Sequence, residues 1–167
     1  FLDIDGTLID SSKGIMEITP KVRNAIKKIQ EDGNYVFIAS GRPYAFISQD
    51  LLNFGFDGFI LTNGANVIVG GKTIYKEPIS KEFIKHAVEQ FEEHNIQYIL
   101  EGELYSYIKD SFKEFHAFYD KIQIKKTYFC GDFDLDKIDV YKMEMMYTTD
   151  SARDFCLDFI NKNQEYD

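Results

Sequence analysis

Along the first 79 residues, short apolar runs alternate with stretches in which apolar positions return every three or four residues. The opening Phe1-Leu2-Asp3-Ile4-Asp5 alternates apolar and acidic positions, the two-residue period of a strand. Thr19-Pro20 predicts a helix start, with Thr19 as N-cap and Pro20 at the first helical position. Val22, Ala25, Ile26 and Ile29 then keep helical spacing until Gly33 ends the run. The run 35–39 is rich in strand formers and suits a sheet covered on both faces. Ser40-Gly41-Arg42-Pro43 follows, and Pro43 predicts a second helix through about Phe54. A third strand over 57–61 runs into Thr62-Asn63-Gly64-Ala65. This βαβαβ order predicts an α/β fold with a doubly wound parallel sheet, its loops gathered at the carboxyl ends of the strands. Asp3, Ser40 and Asn63 would then share one edge. A hairpin of 66–69 and 72–76 about Gly70-Gly71 is expected next.

From Ser80 the rhythm changes. A helix places Phe83, Ile84, Ala87, Val88 and Phe91 on one face, and strands over 97–100 and 104–108 turn about Gly102. A short helix over 111–119 is expected. Tyr141, Met143, Met145 and Tyr147 then line one face of a strand, and a last helix buries Ala152, Phe155, Cys156, Phe159 and Ile160. The reading is therefore a core over residues 1–79 and an inserted α+β layer over 80–167, with no internal repeat.

Composition narrows the classes of partner. The net charge of −9 is uneven: 9 acids face 8 bases in residues 1–79, and 19 face 11 in 80–167. An acidic second half repels phosphate backbones, which argues against nucleic acid, while a small substrate bearing one phosphate stays compatible. No stretch approaches the ~20 apolar residues of a membrane span, and no signal peptide is visible. Cys130 and Cys156 lack the close spacing of a zinc or redox pair, and are read as reduced, packed thiols of a cytoplasmic protein.

The chemistry concentrates at Asp3-Ile4-Asp5-Gly6-Thr7-Leu8. A period of two sends Asp3 and Asp5 the same way, and Gly6 permits a sharp turn after them. Two carboxylates held together repel one another, and a hard divalent cation is the usual relief. The pattern points to magnesium-dependent phosphoryl transfer.

That string, with Ala39-Ser40-Gly41-Arg42-Pro43 and Thr62-Asn63-Gly64-Ala65 behind it, resembles the haloacid dehalogenase superfamily, and more narrowly its Cof-type phosphatases with a large α/β cap. The resemblance implies a Rossmann-like core, a cap domain that closes over the site, and Mg²⁺. It implies Asp3 as the nucleophile that becomes an aspartyl-phosphate. Asp5 is implied as general acid and then base, with its backbone carbonyl on the metal. Ser40 would donate its hydroxyl to phosphoryl oxygens, helped by amides near Gly41; an ordinary helix cap is the alternative reading of Ser40-Gly41. Arg42, one of three arginines against sixteen lysines, either forks onto substrate oxygens or makes a salt bridge to the cap. Asn63 and Gly64 either touch substrate or form the turn into the hairpin. Thr7 is placed with the phosphate-binding residues, and nearby Asp10 is read as a solvated loop acid.

The family also needs a later lysine and a Gly-Asp-x-x-x-Asp motif. Gly131-Asp132-Phe133-Asp134-Leu135-Asp136 matches literally, but an alternating strand rather than a helix follows, so it reads as a solvated acidic turn. Phe1 already lies inside a strand, and Tyr166-Asp167 falls where the cap's final strand is expected to begin. The chain therefore reads as truncated at both ends, the lysine and last metal acids lying beyond residue 167. The expected activity is hydrolysis of a small phosphorylated metabolite, foremost a sugar phosphate. A phosphomutase, or a catalytically silent binding domain, is the alternative. The histidines at 86, 94 and 116 show no ligand spacing.

Overall fold

The computed structural model describes residues 1–10, 13–122 and 124–166. The chain divides into two compact units, Phe1–Glu77 and Pro78–Asp167.

In the first unit, helix α1 (Pro20–Glu31) begins where Thr19 accepts a hydrogen bond from the Val22 amide and ends before Gly33, at φ 84°. Strand β1 (Phe37–Ala39) pairs in parallel with Leu2 on one side and with β2 (Gly58–Leu61) on the other. Strands β3 (Asn66–Val69) and β4 (Lys72–Lys76) complete the sheet as an antiparallel hairpin, in the order β1-β2-β3-β4. Gly70 and Gly71 both take positive φ, as a tight hairpin turn requires. Ile4, Ile26, Val36, Ile38, Leu51 and Leu61 meet in the core.

The expected helix from Pro43 to Phe54 is broken. A 3-10 turn at Tyr44–Phe46 gives way to extended backbone at Ile47 (φ −84°, ψ 122°), and a single helical turn, α2 (Gln49–Leu52), restarts under a Ser48 cap. Ala45, Phe46 and Ile47 are all buried. Three consecutive residues span about 200° of a helix surface, so a regular helix could not bury all three on one side.

In the second unit, α3 (Lys81–Glu93) buries Ile84, Ala87, Val88 and Phe91. Strands β5 (Gln97–Glu101), β6 (Ser106–Tyr107), β7 (Phe129–Cys130) and β8 (Lys142–Met146) form a sheet in the order β7-β6-β5-β8, and α4 (Lys113–Lys121) lies between β6 and β7 in the chain. Helix α5 (Asp150–Lys162) contributes Ala152, Cys156 and Phe159 to this core. Phe155 is only partly covered, stacking on His94, and Ile160 is exposed, contrary to expectation. One residue past Phe159 is a ~100° rotation, which carries Ile160 off the buried stripe. Gln164–Tyr166 form a 3-10 turn rather than a strand start, and Asp167 lies outside the described residues.

A polar cluster is built into this second sheet. Glu101, 1% exposed, stands opposite Ser106 on one side and Lys142 on the other. Lys142 Nζ lies 3.4 Å from Glu101 Oε2 and 2.6 Å from Glu144 Oε1, and the Tyr119 hydroxyl donates to Glu144 Oε2 at 2.8 Å. Burial pushes the Glu101 carboxyl up to about 8, Lys142 opposing the shift and Glu144 adding to it.

Two stability predictions follow from this packing. A Cβ on Gly58 would collide with the Ile68 carbonyl and the Phe37 ring, so Gly58→Ala should cost ~1–3 kcal/mol in denaturant unfolding. Folded Glu101 holds its proton well above the unfolded value of 4.5, so the folded state binds more protons between pH 4.5 and about 8. Its stabilisation is full below that window and is lost as pH rises through it, at up to ~1.4 kcal/mol per pH unit. Unfolding titrations from pH 5 to 8 should show this slope in the wild type and a flatter one in Glu101→Gln.

Candidate active site

The leading extended segment and its turn set the first two acids. Ile4 is fully buried while Asp3 and Asp5 are exposed, so the alternation read from the sequence holds. After Asp5 the chain folds back on itself. Gly6 takes φ 75°, its amide donates to the Ile9 carbonyl at 2.8 Å, and the Leu8 and Ile9 amides both donate to the Ile4 carbonyl at 3.0 Å. Buried Leu8 pins the turn, and Thr7 is left exposed beside Asp5. No donor reaches the Asp5 carbonyl among the described residues. Asp10 is not simply solvated: it exchanges backbone hydrogen bonds with Ile15 and pairs with Lys13 at 2.8 Å.

Register brings the other strings to the same height. Leu2, Ile38 and Phe59 lie in one row across the three parallel segments. Counting three residues on from each reaches Asp5, Gly41 and Thr62. Ser40 is nearly buried, its amide donating to the Ile60 carbonyl at 2.9 Å and its Oγ accepting from the Arg42 amide at 3.2 Å. It therefore caps a short turn rather than a helix. A Cβ on Gly41 would come within 2.8 Å of Asn63 Oδ1, so any larger residue there would displace the Asn63 side chain. Thr62, Asn63 and Gly64 take φ 53°, 56° and 103°, three left-handed residues in succession. For the β-branched Thr62 that conformation is strained. The Thr62 amide donates to the Arg42 carbonyl at 3.1 Å.

The Arg42 side chain forms a pair that neither expectation named. Its guanidinium grips Asp5 with both prongs, Nε to Oδ2 and Nη2 to Oδ1, each at 2.7 Å, while Nη1 donates to the Phe46 carbonyl at 3.0 Å. The pair, and the strain at Thr62, escaped the sequence reading. A cation two residues past Ser40, in the loop that follows β1, was the signal for the first. A Thr-Asn-Gly run, two of whose residues tolerate left-handed backbone, was the signal for the second.

Gly131 to Asp136 lies in the second unit as an exposed turn. The Asp136 amide donates to Asp134 Oδ1 at 3.0 Å, Asp134 pairs with Lys137 at 2.9 Å, and Asp136 pairs with Lys85 at 2.5 Å. Among the described residues no three His, Cys, Asp or Glu side chains stand close enough to hold a metal together. What the first unit offers a cation is the Asp3 carboxylate and the open Asp5 carbonyl. Both are hard oxygens, which fits Mg²⁺, an ion that keeps several waters and takes only one or two carboxylates from the protein.

Known proteins resemble this chain in sequence and in fold. The family model for haloacid dehalogenase-like hydrolases matches residues 1–166. The chain is 34% identical over 112 residues to YkrA of Bacillus subtilis, which is provisionally named a phosphatase, covering 66% of this chain and 42% of that protein. It is 46% identical over 43 residues, 26% of this chain and 15% of the relative, to the Bacillus subtilis 5-amino-6-(5-phospho-D-ribitylamino)uracil phosphatase YitU. Among solved structures, the subclass IIB sugar phosphatase BT4131 superposes with a TM-score of 0.71 at 25% identity, over 91% of this chain and 59% of that one. A hypothetical protein of Geobacillus kaustophilus superposes at 0.78 with 20% identity, over 94% and 60%, a likeness of fold alone. The chain thus spans less than half the length of the curated relatives it matches.

Proposed function

The chain belongs to the haloacid dehalogenase-like hydrolases, and on that premise we propose that its first unit carries the nucleophile and the acid–base group of a magnesium-dependent phosphomonoester hydrolase. The observation that carries this reading is the exposed Asp3–Asp5 pair, joined by Ser40, Gly41 and Thr62 beyond the carboxyl ends of parallel strands.

In the proposed reaction a carboxylate oxygen of Asp3 attacks phosphorus in line, and the bond from phosphorus to the leaving oxygen breaks. Asp5 gives that oxygen its proton. Water then attacks the aspartyl-phosphate while Asp5 takes up the water's proton, which releases phosphate and restores both acids. The Ser40 hydroxyl donates to a phosphoryl oxygen, and Thr7, Gly41, Asn63 and Gly64 line the approach. Mg²⁺ held by the Asp3 carboxylate and Asp5 carbonyl would offset the repulsion between a carboxylate and a phosphate dianion.

The substrate class we favour is a phosphorylated sugar or polyol. The name of YitU, whose substrate carries a phosphoribityl group, and that of the sugar phosphatase BT4131 support it. We place the protein in the cytoplasm: Cys130 and Cys156 are both free thiols, and among the described residues no helix is long and apolar enough to cross a membrane.

Asp3→Asn should lower turnover of p-nitrophenyl phosphate by the full-length protein at least ~10³-fold with its melting curve intact, and abolish hydroxylamine-trappable acyl phosphate. Chelation of divalent ions should silence the wild type, and added MgCl₂ should restore it. An Asp3→Asn variant that keeps its rate would remove the nucleophile assignment.

A further inference from the structure

Arg42 is tied down through both its main chain and its side chain. Its amide donates to Ser40 Oγ, its carbonyl accepts from Thr62, its Nη1 donates to the Phe46 carbonyl, and the remaining two bonds hold Asp5. Its side chain is 23% exposed, against 58% for that of Asp5. A covered guanidinium anchored to main chain at its far end is a fixed post. The carboxylate is the member of the pair that would otherwise rotate.

From this we infer that Arg42 is the positioning residue for Asp5, rather than a substrate ligand. The inference rests on the reading of Asp5 as acid and base. A two-pronged grip fixes the plane of the carboxylate as well as its place. It occupies one acceptor direction on each oxygen and leaves the outward ones open, so a proton leaving or arriving at Asp5 travels along a set line. Without the post, Asp5 samples its rotamers, and the transfer loses alignment. Displacement of ~1 Å at a reacting group costs about 10²-fold in rate. Lysine cannot replace the grip, because an ammonium is a point charge without the planar fork.

The test compares two leaving groups on the full-length protein. p-Nitrophenolate departs without a proton, whereas the phenolate of phenyl phosphate is a poorer leaving group that gains from one. The wild type, Arg42→Ala and Arg42→Lys are assayed for kcat/KM, which reports the step that expels the leaving group. The expected result is a loss of ~10²-fold for phenyl phosphate and under ~10-fold for p-nitrophenyl phosphate in both variants, with KM little changed. Guanidinium chloride should restore part of the phenyl phosphate rate in Arg42→Ala. Asp5→Asn combined with Arg42→Ala should lose no more than Asp5→Asn alone. Equal losses on both substrates carried by a raised KM would mean that Arg42 binds substrate, and would overturn the inference. If Arg42→Ala fails to melt cooperatively, Arg42→Lys decides by the same ratio. Failure of the underlying reading looks different: Asp5→Asn would then keep its phenyl phosphate rate, whatever Arg42 does.

Discussion

The parallel pairing of Leu2 with Ile38, and of Ile38 with Phe59, governs the rest of this structure. Parallel strands all send their carboxyl ends to the same edge, and a shared row fixes their register there. Asp5, Gly41 and Thr62 each lie three residues beyond that row. A slip of one residue in the leading segment would exchange Ile4 for its acidic neighbours in the core. The fully buried Ile4 therefore does as much to place the carboxylates as the turn that follows them.

Above that edge, three loops are fastened by few but well-directed bonds. Arg42 joins two of them through main chain and a third through its guanidinium. Asn63 lies against Gly41, where an added Cβ would push its side chain aside. The charges in this cluster are thus arranged by backbone geometry first, and Coulomb attraction acts within a frame already set. This is how a chain with a net charge of −9 can hold two exposed acids close together. Order among a few donors matters locally, and overall charge does not.

Most of the fold was legible in the sequence because its signals are local. The Thr19 cap, the hairpin about Gly70-Gly71 and the stripe on α3 each rest on residues within a turn or two of one another. What the sequence concealed depends on distant partners. The break at Ile47 arises because Ala45, Phe46 and Ile47 all find burial, which no local preference reveals. Strand β7 has two residues, too few for any alternation to show, and exists because β6 offers it an edge. At the candidate site the residue types were legible but their partners were not: the grip of Arg42 on Asp5 spans 37 positions. Glu101 reads as one surface acid among many until its strand neighbours close around it.

The left-handed run at Thr62-Asn63-Gly64 has a consequence for molecular recognition. A loop that settles into a costly shape only after a guest arrives must subtract that cost from its affinity. Here the sheet and the Arg42 carbonyl already hold the shape, so the unfavourable backbone energy of ~1–3 kcal/mol at Thr62 is charged to folding. Whatever docks at this edge meets a mould that is already cast.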